Sequence, residues 1–108
     1  MDGSRSRDVL AIGRCGVDLY PMQPGRRLED VDTFAKFLGG SATNVAVACA
    51  RYGRDAAVLT GVGDDPFGRF VRSEMTRLGV SDEFVIINRA FNTPVTFCEI
   101  FPPDDFQI

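Results

Sequence analysis

The sequence contains no histidine and only three cysteines, Cys15, Cys49 and Cys98. The cysteines lie far apart in the chain and form no CxxC pair, so the spacings typical of metal-ligand sets do not occur. Separated cysteines in an odd number are more typical of buried thiols in a reducing compartment. We therefore expect no metal site in this chain.

Long apolar runs are also missing from the sequence. The segment from Met1 to Asp8 is polar, and no stretch of about 18 apolar residues follows it, so neither a signal peptide nor a membrane span is predicted. The formal net charge of −3 argues against a nucleic-acid partner, because phosphates attract strongly basic surfaces. We expect a cytoplasmic protein with no membrane partner.

The composition that remains is ordinary for a globular chain. Hydrophobic residues make up 44% and charged residues 25% of the 108 residues, which is enough for one small domain with a single core. Apolar runs and helical periodicity predict alternating strands and helices. In chain order these are a buried strand at 9–13, a helix at about 43–52, a buried strand at 56–60, a helix at 66–78 and a strand at 84–87.

The two predicted helices carry different signals. The second helix should begin at Asp65, because aspartate is a favoured N-cap and Pro66 suits the first helical position. The first helix should end at Gly53. Its predicted buried face consists of four residues at helical spacing, namely Val45, Ala48, Cys49 and Tyr52.

Three further segments predict a separate small sheet. Residues 17–20 and 33–37 lie in an irregular region, and residues 95–101 alternate in polarity as a half-exposed strand does. The segment from Pro102 to Asp105 is predicted to end that strand. Because strands and helices alternate elsewhere, the expected fold is α/β, a partial Rossmann-like parallel sheet with helices plus a small β lid.

Residues 39–44, Gly-Gly-Ser-Ala-Thr-Asn, form the most specific stretch. Two glycines before a helix let a ligand approach the main chain, and the helix N-terminus presents unpaired N–H groups. Asn44 can both donate and accept hydrogen bonds, as recognition of a sugar hydroxyl requires. A glycine-rich turn followed by a packing helix with no ligand explains these residues equally well.

Residues 39–63, with Gly53 and Gly63 at fixed distances, resemble the N-terminal signature of the ribokinase-like (PfkB-type) carbohydrate kinases. In that family the glycine pair and the asparagine bind the sugar, a role that the resemblance carries over to Gly40 and Asn44. The family also has an acidic residue soon after the first strand that holds sugar hydroxyls, and Asp18 stands at that place. Without the resemblance, Asp18 would be interpreted as a solvated turn aspartate.

The resemblance covers nearly the whole chain. Residues 61–68 look like the family's second-strand exit and next helix start, and residues 93–96 look like its lid strand. The resemblance implies that residues 1–108 are the N-terminal portion of a ribokinase-like kinase domain. Its core would be residues 8–13 and 39–88, and its lid residues 14–38 and 89–103.

The resemblance of the lid also indicates which partners to expect. In the family the lid covers the sugar and often forms a dimer interface, so the resemblance implies a small-molecule sugar ligand and a homodimer through the lid. An exposed Phe97 or Phe101 would serve either role, because an uncovered apolar sheet face favours contact with a partner.

Within the family, residues 12–14, 17–20, 27–30 and 34–40 most resemble the branch that phosphorylates 5-dehydro-2-deoxygluconate, a keto sugar acid of inositol breakdown. A carboxylate in the substrate needs a cation, and Arg14 is the candidate by charge complementarity. An ion pair of Arg14 with Glu29 or Asp30 is an equally good interpretation. Kinases of the family that act on 2-keto-3-deoxygluconate, fructose or ribose stay open as alternatives.

The phosphoryl-transfer half of the family has no counterpart in this sequence. The family's catalytic aspartate lies in a glycine-rich motif near the C-terminus, with the ATP pocket in the same half, and neither GxGxxG nor GxxxxGK[ST] occurs here. The resemblance implies a full-length kinase that uses ATP and Mg²⁺. We expect this chain to contain no catalytic, cofactor or metal residues and to be inactive alone. A non-catalytic sugar-binding or dimerisation module and an inert α/β scaffold are the alternatives.

Overall fold

The computed structural model describes residues 7–101 and 105–107. Its α-helices are α1 (Ser41–Arg51) and α2 (Pro66–Arg77), and a 3-10 turn covers Leu28–Asp30. In the described part of the chain, no helix is long and apolar enough to cross a membrane. The strands are β1 (Val9–Ile12), β2 (Gly16–Pro21), β3 (Phe34–Gly39), β4 (Ala56–Val62), β5 (Val80–Ser81), β6 (Val85–Ile87), β7 (Val95–Phe97), β8 (Glu99–Phe101) and β9 (Asp105–Gln107).

The larger sheet is parallel and forms one wall of the core. Strand β4 pairs in parallel with β1, β5 and β6, and α1 packs against β1 and β4. Val58 of β4 is fully buried together with Val71 and Met75 of α2. Full burial of each such side chain contributes about 1.5–3 kcal/mol. The predicted order of strand, helix, strand, helix and strand is confirmed, and β5 is an additional short strand that the sequence pattern did not predict.

On the opposite face of this sheet, several large apolar side chains are exposed. Leu10 of β1 is 46% exposed, Ile12 is 71% exposed and Ile86 of β6 is 60% exposed. The prediction that the strand at 9–13 is buried is therefore wrong for one of its faces. Its run of apolar residues fits a sheet that is covered on both sides, but the helices in the described part of the chain pack on one side of it.

The predicted small sheet is confirmed. Strand β2 lies at its centre, antiparallel to β3 and parallel to β7, with Asp18 opposite both Phe37 and Thr96. The predicted strand at 95–101 is two strands, because the chain breaks at Cys98 and β8 then pairs with β9. The break predicted at 102–105 lies outside the described residues, apart from Asp105 at the start of β9.

Helix α1 begins at Ser41, directly after Gly40, and presents a different face from the predicted one. Val45 is 52% exposed and Tyr52 is 86% exposed. The residues of α1 that pack toward the core include three alanines four positions apart, Ala42, Ala46 and Ala50, together with Val47 and Cys49. Of the predicted face, Cys49 alone packs against the core, and Val45, Ala48 and Tyr52 are exposed. The alanine side chains are small enough to let α1 lie close to the sheet.

Helix α2 begins as predicted. Asp65 is the N-cap, its side chain accepts a hydrogen bond from Gly68 N at 2.7 Å, and Pro66 occupies the first helical position. Val71 and Met75 are buried on the predicted face, whereas Phe67 is exposed. Helix α2 contacts β5 and also β2 and β3 of the small sheet. It therefore fixes the position of the small sheet relative to the parallel one.

Candidate functional site

One hollow of about 630 Å³ lies where the two sheets meet the start of α1. The four candidate residues from the sequence, Arg14, Asp18, Gly40 and Asn44, all line this hollow. They reach it from different elements: the loop after β1, strand β2, and the N-terminus of α1. The structure therefore brings together residues that are up to 30 positions apart in the chain.

The main chain at Gly40 forms the base of the hollow. Gly40 has a φ of 101°, a left-handed conformation that favours glycine, and it is the N-cap of α1. A Cβ at this position would collide with the carbonyl oxygen of Arg14 and lie 2.8 Å from the Cα of Cys15. Only glycine allows the chain to pack this closely between β1 and α1.

The N-terminus of α1 has unused hydrogen-bond donors. Its first helical bond runs from Asn44 N to Gly40 O at 2.9 Å, and no side chain caps the helix. The N–H groups of the three preceding residues, 41–43, thus have no partner within the helix. Together with the helix dipole they favour an oxygen-rich or anionic ligand at this end.

The carboxylate of Asp18 lies directly over Gly39. A Cβ at Gly39 would come within 2.5 Å of Asp18 Oδ1 and 2.6 Å of Oδ2, so glycine is needed there to make room for the acid. The Asp18 side chain is half-buried and, among the described residues, accepts no hydrogen bond from the protein. An unpaired carboxylate in this place is an acceptor suited to ligand hydroxyls.

The negative charge of Asp18 affects two neighbouring groups. Burial raises the pKa of the Cys98 thiol, and the charge of Asp18 raises it further. Burial likewise raises the pKa of Tyr20, with smaller contributions from Asp18 and Cys98. Both groups are therefore protonated at neutral pH, and neither adds a second negative charge beside Asp18.

Arg14 and Asn44 are exposed on the wall of the hollow. The interpretation of Arg14 as the partner of Glu29 or Asp30 finds no support, because no such ion pair is formed within residues 7–101. The guanidinium of Arg14 thus adds a positive charge beside the hollow. Asn44 also lines a neighbouring groove between α1 and α2.

Sequence reasoning missed Thr96 of β7, which lines the hollow beside Asp18. The alternating polarity of residues 95–101 predicted a strand there, but the partner of that strand and its register depend on the tertiary fold. The described residues contain no group of three or more cysteine, aspartate or glutamate side chains that could hold a metal ion.

Comparison with known families gives one match that spans most of the chain. The profile described as "pfkB family carbohydrate kinase" matches residues 6–104. Proteins named 5-dehydro-2-deoxygluconokinase are 40% identical to the chain in Photobacterium profundum, 40% in Clostridium tetani and 34% in Bacillus subtilis. These alignments cover 93%, 99% and 94% of this chain but only 30%, 32% and 31% of the relatives. The chain therefore spans about a third of the length of the curated relatives it matches.

Two solved structures with a similar fold are named as a sugar kinase and a deoxygluconokinase. An uncharacterised sugar kinase from Pyrococcus horikoshii is 29% identical, with a TM-score of 0.82 over 91% of this chain and 32% of its own, and it has also been solved in complex with ATP. The 2-dehydro-3-deoxygluconokinase of Thermotoga maritima is 25% identical, with a TM-score of 0.82 over 91% of this chain and 30% of its own.

Proposed function

Since the chain belongs to the pfkB family of carbohydrate kinases, we propose that it is the sugar-binding part of an ATP-dependent kinase that phosphorylates a terminal hydroxyl of a keto sugar acid. The observation that carries the proposal is the shared hollow of Asp18, Gly40 and Asn44. These residues supply a carboxylate, bare main chain with helix N–H groups, and an amide. This combination of acceptors and donors suits a polyhydroxylated ligand.

Each residue has a distinct role in this proposal. Asp18 accepts hydrogen bonds from ligand hydroxyls, and its charge orients them, because within residues 7–101 the carboxylate accepts no hydrogen bond from the protein. Asn44 donates to one ligand oxygen and accepts from another. Gly40 lets the ligand reach the N–H groups at the start of α1.

The names of the relatives favour 5-dehydro-2-deoxygluconate as the substrate. This molecule carries a carboxylate, and Arg14 supplies a guanidinium on the wall of the same hollow. Arginine binds carboxylates in a planar, two-pronged geometry, which fixes the direction of the sugar acid. With the carboxylate at Arg14, the ligand hydroxyls extend toward Asp18 and Asn44.

ATP enters the proposal as the phosphoryl donor of the whole protein, together with Mg²⁺. An ATP complex is known for the Pyrococcus horikoshii sugar kinase. None of the four site residues is assigned to ATP or to a metal. The relatives are about three times as long as this chain, and we place phosphoryl transfer in the part that they have in addition.

We also retain the division into a core of residues 8–13 and 39–88 and a lid of residues 14–38 and 89–103. In this proposal the lid closes over the sugar, and its outer face forms a homodimer. The support is an aromatic pair at the surface: Phe97 is 47% exposed, and its ring meets the half-buried Phe34 edge-on at 5.4 Å. Phe101 is half-buried beneath the guanidinium of Arg27 and suits a partner surface less well.

Calorimetric titration of the chain with 5-dehydro-2-deoxygluconate tests the proposal. Asp18→Asn and Asn44→Ala should each weaken binding by about tenfold, since the first removes the charge and one acceptor oxygen and the second removes the amide. Asp32→Asn and Asn92→Ala are matched controls on exposed residues outside the hollow and should leave affinity unchanged. A wild-type chain that binds no sugar acid, or equal affinity in all four variants, would contradict the proposal.

A further inference from the structure

Strand β7 brings a polar side chain to the hollow. Thr96 pairs in register with Asp18 of β2, so the two side chains project from the same face of the small sheet. Its neighbour Val95 lies on the opposite face, where it packs against the core. Thr96 of β7 lines the hollow next to the carboxylate of Asp18.

The hydroxyl of Thr96 has no hydrogen-bond partner among the residues that the structure describes. The side chain is half-buried, and within the described ranges its hydroxyl makes no hydrogen bond with another protein group. Valine has the same shape and favours strands at least as strongly, so packing alone does not require threonine here. A half-buried hydroxyl without a protein partner is available to a ligand.

The position of Thr96 is fixed from both sides. Before it, Thr93 is bound to Asp65, and Pro94 O accepts a hydrogen bond from Val17 N at 2.9 Å. After it, Cys98 N donates to Leu19 O at 3.1 Å. A side chain held in this way loses little conformational freedom when it binds a ligand.

We propose that Thr96 is a ligand-binding residue of the hollow and that its hydroxyl contributes to the choice among sugars. Adjacent strands lie about 4.8 Å apart, so a carboxylate and a hydroxyl on a register pair can hold neighbouring hydroxyls of one ligand. Thr96 then bonds the ligand hydroxyl next to the one that Asp18 binds. The inference rests on the proposed function and adds a specificity-determining residue to it.

The test uses calorimetric titration of the 108-residue chain with D-gluconate and its single-deoxy analogues. Thr96→Val should lower the affinity for D-gluconate by about 3- to 10-fold, because one hydrogen bond is lost, whereas Thr96→Ser should retain most of it. For the analogue that lacks the hydroxyl bound by Thr96, wild type and Thr96→Val should bind equally. Thr76→Val is the control, because its hydroxyl lies on α2 and bonds to Arg72 O at 3.1 Å.

The outcomes separate this inference from the proposed function. A wild-type chain that binds neither D-gluconate nor 5-dehydro-2-deoxygluconate would contradict the proposed function itself. Wild-type binding with unchanged affinity in Thr96→Val for every probe would overturn the role of Thr96 alone. Thermal unfolding verifies that the valine variant is folded, and Thr96→Ala supplies the same comparison if it is not.

Discussion

Asp65 accepts hydrogen bonds from both the main-chain N–H and the hydroxyl of Thr93, at 2.9 and 2.7 Å. The same Thr93 hydroxyl accepts a hydrogen bond from Gly63 N at 3.0 Å, and Asp65 also caps α2 through Gly68 N. One carboxylate therefore joins the exit of β4, the start of α2 and the segment that leads into β7. A helix cap predicted from the sequence also anchors the strand that lines the hollow.

Replacing Asp65 should destabilise the chain. Asp65→Ala removes the cap and both bonds to Thr93, and we expect a loss of about 1–3 kcal/mol in the free energy of unfolding. Asp65→Asn keeps one carbonyl acceptor, so its loss should be smaller. Urea unfolding followed by circular dichroism measures both. Asp64→Ala is the matched control, because Asp64 is exposed and forms an ion pair with the exposed Arg89. An equal loss of stability in that variant would contradict the role of Asp65.

The contribution of Asp65 should depend on pH. Hydrogen bonds from the Thr93 N–H, the Thr93 hydroxyl and the Gly68 N–H lower its pKa below the ordinary value. A lowered pKa in the folded state means that the carboxylate stabilises the fold fully above its unfolded pKa of about 3.9. The contribution falls as the pH drops through the folded pKa. The stability difference between wild type and Asp65→Asn should thus be constant from pH 5 to 7 and shrink below about pH 4; a constant difference at pH 3 would argue against it.

Gly40 should be far less tolerant of substitution than Gly25. Both have positive φ, 101° and 82°, so alanine strains the backbone at either position. A Cβ at Gly25 meets nothing within 4 Å, whereas one at Gly40 meets the main chain of Arg14 and Cys15. We expect Gly25→Ala to lower the free energy of unfolding by about 1–2 kcal/mol, and Gly40→Ala to lower it by at least about 2 kcal/mol more. Urea unfolding of the two variants measures these losses. Equal losses would show that the close packing of the main chain around Gly40 does not contribute to stability.

Arg14→Ala should change the selectivity for charge. If the guanidinium binds the ligand carboxylate, affinity for 5-dehydro-2-deoxygluconate should fall by about tenfold, while affinity for the neutral sugar D-fructose stays the same. Calorimetry with both ligands measures the ratio. Arg26→Ala removes another exposed arginine outside the hollow and serves as the control. An equal loss for both ligands would assign Arg14 a structural role instead.

The uncovered face of the parallel sheet should cause the chain to associate. Leu10 and Ile86 are 46% and 60% exposed and lie outside the hollow, so a double substitution to threonine keeps strand propensity and removes apolar surface. We expect concentration-dependent association of the wild type in sedimentation experiments and a clear decrease in the variant. Association that persists unchanged would point to another surface, such as the lid.

The sequence predicts where helices and strands lie better than it predicts which of their faces are buried. Asp65 and Pro66 marked the start of α2 correctly because capping depends on a few adjacent residues. The buried face of α1 is predicted correctly only for Cys49, because helical spacing alone does not say which face meets the sheet, and close helix–sheet packing places Ala42, Ala46 and Ala50 there. Burial of the strand at 9–13 also depends on which elements pack against its two faces, and the residues of the strand do not determine this.

The sequence also predicts some residues of the candidate site and not others. Asp18, Gly40 and Asn44 were chosen by type and by resemblance, and the fold places all three on one hollow. Thr96 could not be chosen, because its place beside Asp18 arises from the pairing of β2 with β7. Such pairings join residues nearly 80 positions apart, and no local pattern specifies them.

The pairing of β2 with both β3 and β7 has a consequence for synthesis on the ribosome. The hairpin of β2 and β3, α1 and the β1–β4 pair can form as soon as their residues emerge, because their contacts are closer in sequence. The wall that contains Thr96 is completed only after about 60 further residues have followed β3. We therefore expect a nascent chain to pass through a stage in which Asp18 and Asn44 are in place while the hollow is still open on the side of β7. Tight binding of a sugar then requires β7 to pair with β2.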